Sequence, residues 1–565
     1  MAAWERLFYD QATVARSPRL SGVALKNLAR LARTRIGGIA LQRILRADLG
    51  VDRLDGLADA HRSDVPLDTR PHAGRPPRAH AGQDLPWPVA GWAPSATTLT
   101  AAYRDGKLSP REVVVQVLAE ARRLAALTPS VGPILDYADE AALAEAADSE
   151  KRWRDGKPLG PLDGVPWAVK EQTSVRGLPR KGGTAFLDAA AQLRDGTSVA
   201  RIRAAGAITI GTTPMTEFGM TPNGANSKRT MPRNPHGLDC LAGGSSTGSG
   251  VAVATGLVPF AHGADGGGSI RIPASINGVF GLKPTWGRVS RSGDISGGTV
   301  AHVGPLACST VDLAYALEAM SGLDGNDPQT FAAPARAQGA FLAALGRGVR
   351  GMVIGVPEGE WADASESVQR AGRAALAALE KEGAKLVPIK LELAKYASAI
   401  GVVVIACEAR AALRKEWRDH ADDMGDDLQV SFAALDAFTA VEYLETCRLR
   451  TGLRREMAHA FETVDLVAMP STVAAAAKVS DTDMRTGFLD TKVIDGLCRF
   501  MFMGNLTGLP AASAPVGCDD RGMPVGLQLV GDAWDEATVL AASAHLERLG
   551  VAVPRRPRVA ASILG

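Results

Sequence analysis

The residues from Ala242 to Pro273 constrain the fold more than any other part of this 565-residue chain. They read AGGSSTGSGVAVATGLVPFAHGADGGGSIRIP, so two glycine-rich turns that carry serines flank an apolar run of small residues. Glycine allows positive φ angles and a close approach of the backbone, which leaves main-chain N–H groups able to bind an anion. The run VAVATGLVPFA predicts a buried helix or strand that crosses the core and fixes the two turns relative to each other.

A second apolar segment ends in a lysine. A charged residue is unusual at the end of an apolar strand. The stretch PLDGVPWAVKEQTSV predicts a turn at Leu162 to Pro166 and then a short buried strand that ends at Lys170. A serine hydroxyl is a weak nucleophile until a neighbouring base takes its proton, and no histidine motif lies near these serines in the sequence. A lysine can be that base only when it is neutral, which requires burial. The apolar flank of Lys170 suits this role.

Several separate motifs together resemble the amidase signature family of serine hydrolases. They are GVPWAVKE, GGSSTGSG, GADGGGSIRIPA, and GVFGLKPTWGRVSRSG from Gly278 to Gly293. GTTPMTEFG, RNPHGLD, NLTGLPAASAPVG and GMPVGLQLVG add to the likeness, which extends from about Leu99 to Val553. The resemblance implies an amidase that converts a carboxylic amide with an apolar aryl or aliphatic acyl group to a carboxylate and ammonia or an amine. It implies an acyl-enzyme, no cofactor, and esters and carbamates (urethanes) as side substrates.

The resemblance also implies a Ser–cis-Ser–Lys triad. Ser269 would be the nucleophile, Ser245 the bridging serine after a cis peptide bond, and Lys170 the base. Lys170 would take a proton from Ser245, which takes one from Ser269, and the reverse relay would protonate the leaving amine. Backbone N–H groups of the second turn would form the oxyanion hole, together with that of Ser269. The oxyanion residues are Gly266, Gly267 and Gly268, and the supporting residues are Gly244, Ser246, Asp265 and Arg271.

The first turn also fits another pattern, the G-x-S-x-G nucleophile elbow, at Gly244 to Gly248. In that interpretation Ser246 would be the nucleophile. The elbow requires a strand immediately before the serine. The preceding RTMPRNPHGLDCLAG is rich in Pro, Gly and Asn and reads as a loop, so we prefer Ser269.

Two other functions stay open. The resemblance includes the amidase subunit of glutamine-dependent tRNA amidotransferases, but that subunit usually has glutamine where this chain has Ile272. It also usually lacks so long an N-terminal extension. A non-catalytic binding scaffold with the same fold would not need all three triad residues. Both alternatives therefore rank below a stand-alone amidase.

Composition and charge agree with a large enzyme that acts on a small molecule. Lys and Arg total 63 against 61 Asp and Glu, a net charge of +2, so the overall charge does not indicate a nucleic-acid partner. The six cysteines are widely spaced and form no CxxC motif, which predicts reduced thiols. The nine histidines form no HxxxH or HxH pair, so we predict no metal site. MAAWERLFYD lacks a signal-peptide core, and no stretch has the roughly 18 apolar residues of a membrane span. We therefore expect a cytoplasmic protein.

The chain divides into an extension, a strap and a catalytic body. The pattern of residues 1–60 predicts helices. Residues 61–95 are rich in Pro, Arg, His and Gly, and this composition predicts an irregular strap or linker. Residues 96–565 form the catalytic domain, in which 324–463 lacks the motifs and corresponds to the variable region that shapes the substrate pocket in the family. Helical patterns alternate with short β segments such as AITIG, MVIGVP and AKLVPI. This alternation predicts a single large α/β/α sandwich around a mixed, mainly parallel sheet.

The extension has an amphipathic pattern, with Leu25, Leu28, Ala32, Ile36 and Ile39 at helical spacing. We favour an accessory helical layer packed on the catalytic body. The alternative is a weak contact with a membrane surface or a substrate entrance, similar to that of membrane-associated fatty acid amide hydrolases in this family. A homodimer also stays open. The other helix faces are basic, with Lys26, Arg30, Arg33, Arg35, Arg43 and Arg46.

Three local patterns give further predictions. Ser109 before a proline, with Glu112 three residues on, predicts the start of a helix. Cys407 and Glu408 are interpreted as packing and helix-surface residues. The run from Phe500 to Met503 is interpreted as buried core, with the wall of an acyl pocket as the alternative.

Overall fold

The computed structural model describes residues 18–54, 56–57, 61–62, 74, 85–88, 91–295, 297–436 and 438–564. Within them, twelve strands form one sheet of ten strands and one of two. The strands are β1 (Leu20–Ser21), β2 (Pro166–Lys170), β3 (Ile208–Thr213), β4 (Phe260–Asp265), β5 (Phe280–Lys283), β6 (His302–Ala307), β7 (Val353–Pro357), β8 (Lys385–Ile389), β9 (Leu466–Pro470), β10 (Phe488–Leu489), β11 (Ala511–Cys518) and β12 (Pro524–Gly531).

Twenty α-helices surround these strands in the described part of the chain. The first ten are α1 (Gly22–Ala32), α2 (Arg35–Asp48), α3 (Ala96–Arg104), α4 (Pro110–Ala125), α5 (Asp139–Arg154), α6 (Thr197–Ala204), α7 (Thr247–Ala254), α8 (Arg271–Asn277), α9 (Thr310–Met320) and α10 (Ala340–Ala344). The others are α11 (Glu358–Ala362), α12 (Glu366–Lys381), α13 (Ala397–Ala412), α14 (Arg414–His420), α15 (Asp426–Leu435), α16 (Ala440–Ala460), α17 (Asp481–Thr486), α18 (Thr491–Cys498), α19 (Phe502–Thr507) and α20 (Glu536–Arg548).

The large sheet has the order β3-β2-β4-β6-β5-β11-β12-β9-β7-β8. Its two flanks are parallel, with β2 between β3 and β4 and β7 between β8 and β9. The five central pairings are antiparallel. The predicted α/β fold with a mixed sheet is confirmed, but the prediction that the sheet is mainly parallel is wrong, because the five central pairings are antiparallel. One reason is that a tight turn joins β11 to β12 as a hairpin, where a parallel pair would need a crossover.

Side chains alternate along each strand, and two apolar clusters lie on opposite faces of the sheet. On β9, Leu466 and Ala468 belong to one apolar cluster, whereas Val467 belongs to another. Ile272 on α8 joins the cluster of Val467, and Val539 on α20 joins that of Leu466. The two helices therefore cover opposite faces, which gives the predicted three-layer sandwich.

The helix predicted after Ser109 is α4. The Ser109 side chain accepts a hydrogen bond from the Glu112 N–H, and the Glu112 carboxylate accepts one from the Ser109 N–H over 2.8 Å. This reciprocal cap satisfies two backbone donors that the first turn of a helix would otherwise leave unpaired. The proline and glutamate at the predicted positions thus place the helix start as expected.

The N-terminal helices α1 and α2 pack on α15, where Leu25 and Leu45 join one apolar cluster with Val430. The predicted helical stripe is right for Leu25 and Ala32, which are buried. It is wrong for Ile36, which is 83% exposed, and for Ile39. The reason is that α1 ends at Ala32 and Thr34 caps a new helix, so the helical phase starts again. Residues 1–17, 55, 58–60 and most of the predicted strap lie outside the described residues.

The variable region is mainly helical, with α10 to α16 and two strands within it. Helices α13 and α16 pack against each other and against α19, close to the catalytic face. Among the described residues, no single helix combines the length and apolar content needed to cross a membrane. One pair with a 67° bend, Ala394–Ala412 with Arg414–Asp423, meets those criteria only when taken together.

Candidate active site

The two glycine-rich turns lie at the ends of one helix and one strand. The first precedes α7, which begins at Thr247, and the second follows β4, which ends at Asp265. The apolar run between them is therefore a buried helix followed by a buried strand. The expected cis peptide bond is present between Gly244 and Ser245. The Ser246 N–H donates a hydrogen bond to the Ser269 carbonyl over 3.3 Å, so the turns are joined directly.

Lys170 lies at the end of β2, as predicted, and reaches the first turn. Its Nζ donates hydrogen bonds to Ser245 Oγ over 2.7 Å and to the Ala264 carbonyl over 3.4 Å. The side chain is fully buried, and this burial lowers the pKa of Lys170 to about 7, although the negative charges of Asp294, Asp265 and Glu171 act in the opposite direction. Near neutral pH, a large fraction of Lys170 can therefore be the uncharged amine that a general base requires.

Ser269 lines the same cavity as Lys170 and Ser245. It is 8% exposed, whereas Ser245 is 2% exposed. Among the described residues, no group hydrogen-bonds to Ser269 Oγ. The three predicted triad residues thus meet in one cavity, with a direct contact between lysine and the bridging serine and with the Ser269 hydroxyl open to a ligand.

The second glycine turn folds around the carboxylate of Asp265. One carboxylate oxygen accepts the Gly268 N–H over 2.7 Å, and the other accepts the Ile270 N–H over 3.2 Å. Gly268 was predicted as an oxyanion donor, and this prediction is wrong because its N–H is already bound to Asp265. The N–H groups of Gly266 and Gly267 have no hydrogen-bond partner within the described part of the chain. They are the two glycine donors that the turn offers to an anion.

Asp265 and Arg271 form the buried ion pair that supports this turn, as the sequence predicted for a supporting role. Arg271 Nε and Nη2 each donate to the Asp265 carboxylate over 2.9 Å. Burial by itself would raise the pKa of Asp265, but the charge and hydrogen bonds of Arg271 hold that pKa below its usual range. The carboxylate therefore stays ionised and keeps the turn closed around it.

Two residues that the sequence analysis missed complete this support. Asn505 Nδ2 donates to the carbonyl and to a carboxylate oxygen of Asp265, each over 2.9 Å, and its Oδ1 accepts from Arg271 over 2.6 Å. Gln528 Oε1 accepts from Arg271 Nη1 over 2.5 Å. Both residues lie in motifs that support the family resemblance, but the sequence assigned neither of them a role in the site. They are 234 and 257 residues away from Arg271, so no local pattern connects them to the turn.

Ser246 is a buried structural neighbour of the site. Its Oγ donates to the Ala264 carbonyl over 3.2 Å and accepts from the Ala264 N–H over 3.3 Å. The described residues immediately before it, 241–245, form no strand, so the arrangement required for a nucleophile elbow is absent there. This geometry favours Ser269 over Ser246 as the reacting serine.

Comparison with known proteins agrees with the geometry. The sequence model of the family described as Amidase matches residues 116–540, about three quarters of the chain. The chain belongs to the amidase family. It is therefore a hydrolase that acts on carbon–nitrogen bonds other than peptide bonds.

Relatives of this amidase have several different activities. The fatty acid amide hydrolase of Medicago truncatula is 32% identical over 475 residues, which cover 82% of this chain and 77% of that hydrolase. A glutamyl-tRNA(Gln) amidotransferase subunit of Chloroflexus aggregans is 32% identical over 489 residues, 81% of this chain and 97% of that relative. The structure of the peptide amidase from Stenotrophomonas maltophilia matches with 28% identity and a TM-score of 0.70, over 82% and 98% of the two chains.

Two cavities of the amidase share Ser269 in their walls. The first, which we call the lysine-side cavity, contains Lys170, Ser245 and Gly266. The second, which we call the apolar pocket, extends away from Lys170 between the N-terminal extension, α13, α15 and α18. Both are lined by the residues Gly219, Met220, Ser269 and Ile405. The apolar pocket also contains Leu45, Leu49, Val402, Ala434, Leu435, Phe438, Leu489, Ile494 and Phe502.

Two packing predictions change in this context. Phe502 lines the apolar pocket, while the other residues of the run from Phe500 to Met503 are buried core. Glu408 lines the lysine-side cavity and is not a simple surface residue. Its carboxylate accepts the Thr299 N–H over 2.7 Å, the Thr299 hydroxyl over 2.6 Å and the Tyr443 hydroxyl over 3.1 Å. Glu408 therefore holds a cavity wall in place, a role that only the tertiary structure reveals.

Proposed function

We propose that this amidase hydrolyses a carboxylic amide with an apolar acyl group through an acyl-enzyme on Ser269. The observation that carries the proposal is a buried lysine, bonded to one serine, in a cavity that holds a second serine at the mouth of an apolar pocket. The products are a carboxylate and ammonia or an amine. Ester and carbamate hydrolysis follow as side activities because they pass through the same kind of tetrahedral intermediate.

In the first step, neutral Lys170 accepts the Ser245 proton while Ser245 Oγ accepts the Ser269 proton. Ser269 Oγ then forms a bond to the carbonyl carbon, and the carbonyl electron pair moves onto oxygen. The N–H groups of Gly266 and Gly267 donate to this oxyanion. Such preorganised donors are worth about 3 kcal/mol each in transition-state stabilisation.

In the second step, the relay runs backwards. The Lys170 ammonium returns a proton through Ser245 to the amide nitrogen, the carbon–nitrogen bond breaks and the amine leaves.

A water molecule then attacks the acyl-enzyme, with its proton passing to the same relay. Collapse of this second tetrahedral intermediate releases the carboxylate and regenerates the Ser269 hydroxyl.

The two cavities give the substrate a direction. The leaving nitrogen must lie near Ser245 and Lys170 to receive its proton, so the amine portion occupies the lysine-side cavity. The acyl portion then occupies the apolar pocket. Each methylene group buried there contributes about 0.8 kcal/mol, which favours aryl and longer aliphatic acyl groups over acetyl.

A library of 4-nitroanilides with short aliphatic, aryl and long-chain acyl groups tests this proposal. We expect wild-type protein to hydrolyse one or more of them and Ser269→Ala to hydrolyse none. Ser246→Ala is the matched control because it removes a neighbouring buried hydroxyl without removing the nucleophile. Turnover that survives in Ser269→Ala and disappears in Ser246→Ala would overturn the assignment.

A role as the amidase component of a tRNA amidotransferase is a second candidate, supported by the similarity to the Chloroflexus aggregans protein over nearly its full length. It predicts a stable partner chain and glutamine-dependent amidation of charged tRNA. Purification of the native protein followed by an aminoacyl-tRNA amidation assay tests both features. Glutamine-dependent amidation would displace the stand-alone amidase, whereas anilide hydrolysis by the isolated chain supports it.

A weak contact of the extension with a membrane surface is also a proposal. It is supported by exposed Val23, Leu31 and Ile36 next to basic side chains on α1 and α2. Co-sedimentation with anionic liposomes should fall when residues 1–60 are deleted, and unchanged co-sedimentation would contradict the contact. The homodimer and the cytoplasmic location stay predictions.

A further inference from the structure

The apolar pocket beside Ser269 is closed on one side by the N-terminal extension. Gln42, Leu45 and Arg46 on α2 line it, and so do Leu49 and Val51 just after the helix. These residues precede residue 116, where the match to the amidase family begins. A part of the chain outside the family match therefore supplies one wall of the pocket.

Several contacts hold α2 against the catalytic body. The apolar side of the helix packs on α15, where Leu41 and Leu45 join one cluster with Val430. Arg46 pairs with a carboxylate on α16, that of Glu442, and within the extension it also donates a hydrogen bond to Asp52 over 2.9 Å.

Two more contacts fix the end of the helix. The Arg46 guanidinium lies 5.6 Å from the ring centre of Phe438, which also lines the pocket. The hydroxyl of Thr491, the first residue of α18, donates to Asp48 over 3.4 Å. Contacts of this number and variety make α2 a fixed wall of the pocket.

We propose that α2, chiefly through Leu45, sets the length of acyl group that the enzyme accepts. The inference rests on the proposed function because it assigns the acyl portion to this pocket. Leu45 is buried, lines the pocket and lies on an element anchored from three sides. Each methylene group that the pocket takes up should raise kcat/KM about fourfold, so the position of this wall decides where that increase stops.

The test compares 4-nitroanilides of acetic, hexanoic and decanoic acid, which share one leaving group. Leu45→Trp fills the pocket, and we expect the ratio of kcat/KM for decanoyl over acetyl anilide to fall tenfold or more. Leu45→Ala enlarges the pocket and should shift the preferred acyl length upwards. The matched control is Ile44→Trp, which places the same side chain on a 51% exposed position one residue earlier in α2 and should leave the ratio unchanged.

Opposite shifts of the ratio in the two Leu45 variants separate a pocket effect from general disturbance of the fold. Equal ratios in wild type, Leu45→Ala and Leu45→Trp would overturn the inference, and so would the same loss for every chain length. Circular dichroism and thermal unfolding show which variants are folded. If Leu45→Trp does not fold, Leu45→Ala alone tests the inference. A preferred acyl length that is unchanged in Leu45→Ala would then overturn it.

Failure of the proposed function has a different signature. Wild-type protein that hydrolyses none of the three anilides would count against that function. The inference would then be decided by fluorescence titration with 11-(dansylamino)undecanoic acid. A Kd raised tenfold by Leu45→Trp and unaffected by Ile44→Trp supports the role of α2, and equal Kd values in all three proteins overturn it.

Discussion

The dependence of activity on pH should report the ionisation of Lys170. Burial lowers the pKa of this lysine from its ordinary value of 10.5 to about 7, and only the neutral amine can accept the Ser245 proton. The value of kcat/KM in the free enzyme should therefore rise as Lys170 loses its proton. The sign is opposite to that of a catalytic acid, for which activity would fall with increasing pH.

The magnitude follows from the titration of one group. With a pKa of about 7, the neutral fraction is about 0.1 at pH 6 and about 0.9 at pH 8, so kcat/KM should rise about tenfold over this range and then level off. A lysine with an ordinary pKa would instead give a tenfold rise per pH unit up to about pH 10. Initial rates on a single neutral anilide in a constant-ionic-strength buffer distinguish the two.

Asp294→Asn moves the profile in a direction that identifies the lysine. Burial is the main cause of the shift and lowers the pKa of Lys170. Of the three carboxylates whose charge raises that pKa, Asp294 has the largest effect. Asp294 accepts hydrogen bonds from the neutral side chains of Gln172 and Thr173, each over 2.7 Å. Asparagine keeps the shape and removes the charge, so the midpoint should move to lower pH. Asp520→Asn, with a side chain 88% exposed, is the control. A flat profile from pH 5 to 9, or a midpoint that moves to higher pH in Asp294→Asn, would contradict the role of Lys170 as the base.

Three further predictions follow from the buried polar contacts. Asn505→Leu should lower kcat by roughly 10- to 100-fold with a smaller effect on KM, because the Asp265–Arg271 pair loses a partner worth about 1–3 kcal/mol; steady-state kinetics measure this, and an unchanged kcat would contradict it. Lys170→Met should stabilise the fold near neutral pH, because the unfolded chain holds a proton that buried Lys170 releases. Wild-type stability should therefore rise with pH between about 7 and 10.5 by up to about 1.4 kcal/mol per unit relative to Lys170→Met, and denaturant titrations that give a constant difference would refute this. Ser269→Ala should abolish labelling by a fluorophosphonate probe, whereas Ser246→Ala should still be labelled; the opposite pattern on a fluorescent gel would exchange the two roles.

The elements of the site that are local in sequence could be predicted. The glycine turns, the lysine at the end of β2 and the supporting role of Asp265 and Arg271 each depend on residues within a short segment. The motif as a whole also identified the cis bond at Ser245, which no single residue would predict. These features follow from the residue types within short segments, which the sequence shows directly.

Two kinds of feature could not be predicted: contacts between distant parts of the chain, and local hydrogen bonds that residue spacing does not determine. Asn505 and Gln528 reach Arg271 from segments more than 230 residues away. The correction at Gly268 arises because the Asp265 carboxylate turns back onto its own loop, which residue spacing does not reveal. Ile36 is exposed because one local cap at Thr34 divides what the sequence presents as a continuous apolar stripe.

The fold, like the site, could be predicted from the sequence only in part. Buried strands and amphipathic helices predict the α/β class, because both faces of the sheet need apolar residues. Strand order and direction depend on which strands meet, and the hairpin of β11 and β12 places antiparallel pairs in the centre of the sheet. The role of α2 in the apolar pocket also required the tertiary structure, since the pattern of residues 1–60 favoured a packed layer and left a membrane contact or a substrate entrance as the alternative.

Mass spectrometry of the covalent adduct formed with a slowly hydrolysed substrate or a fluorophosphonate identifies the nucleophile most directly. Trypsin alone leaves Ser245, Ser246 and Ser269 in one peptide, but cleavage before Asp265 separates Ser269 from the other two. We expect the added mass on the peptide that begins at Asp265, with fragmentation placing it on Ser269. An adduct on the peptide from Asp239 to Ala264, or on any other residue, would show that Ser269 is not the nucleophile.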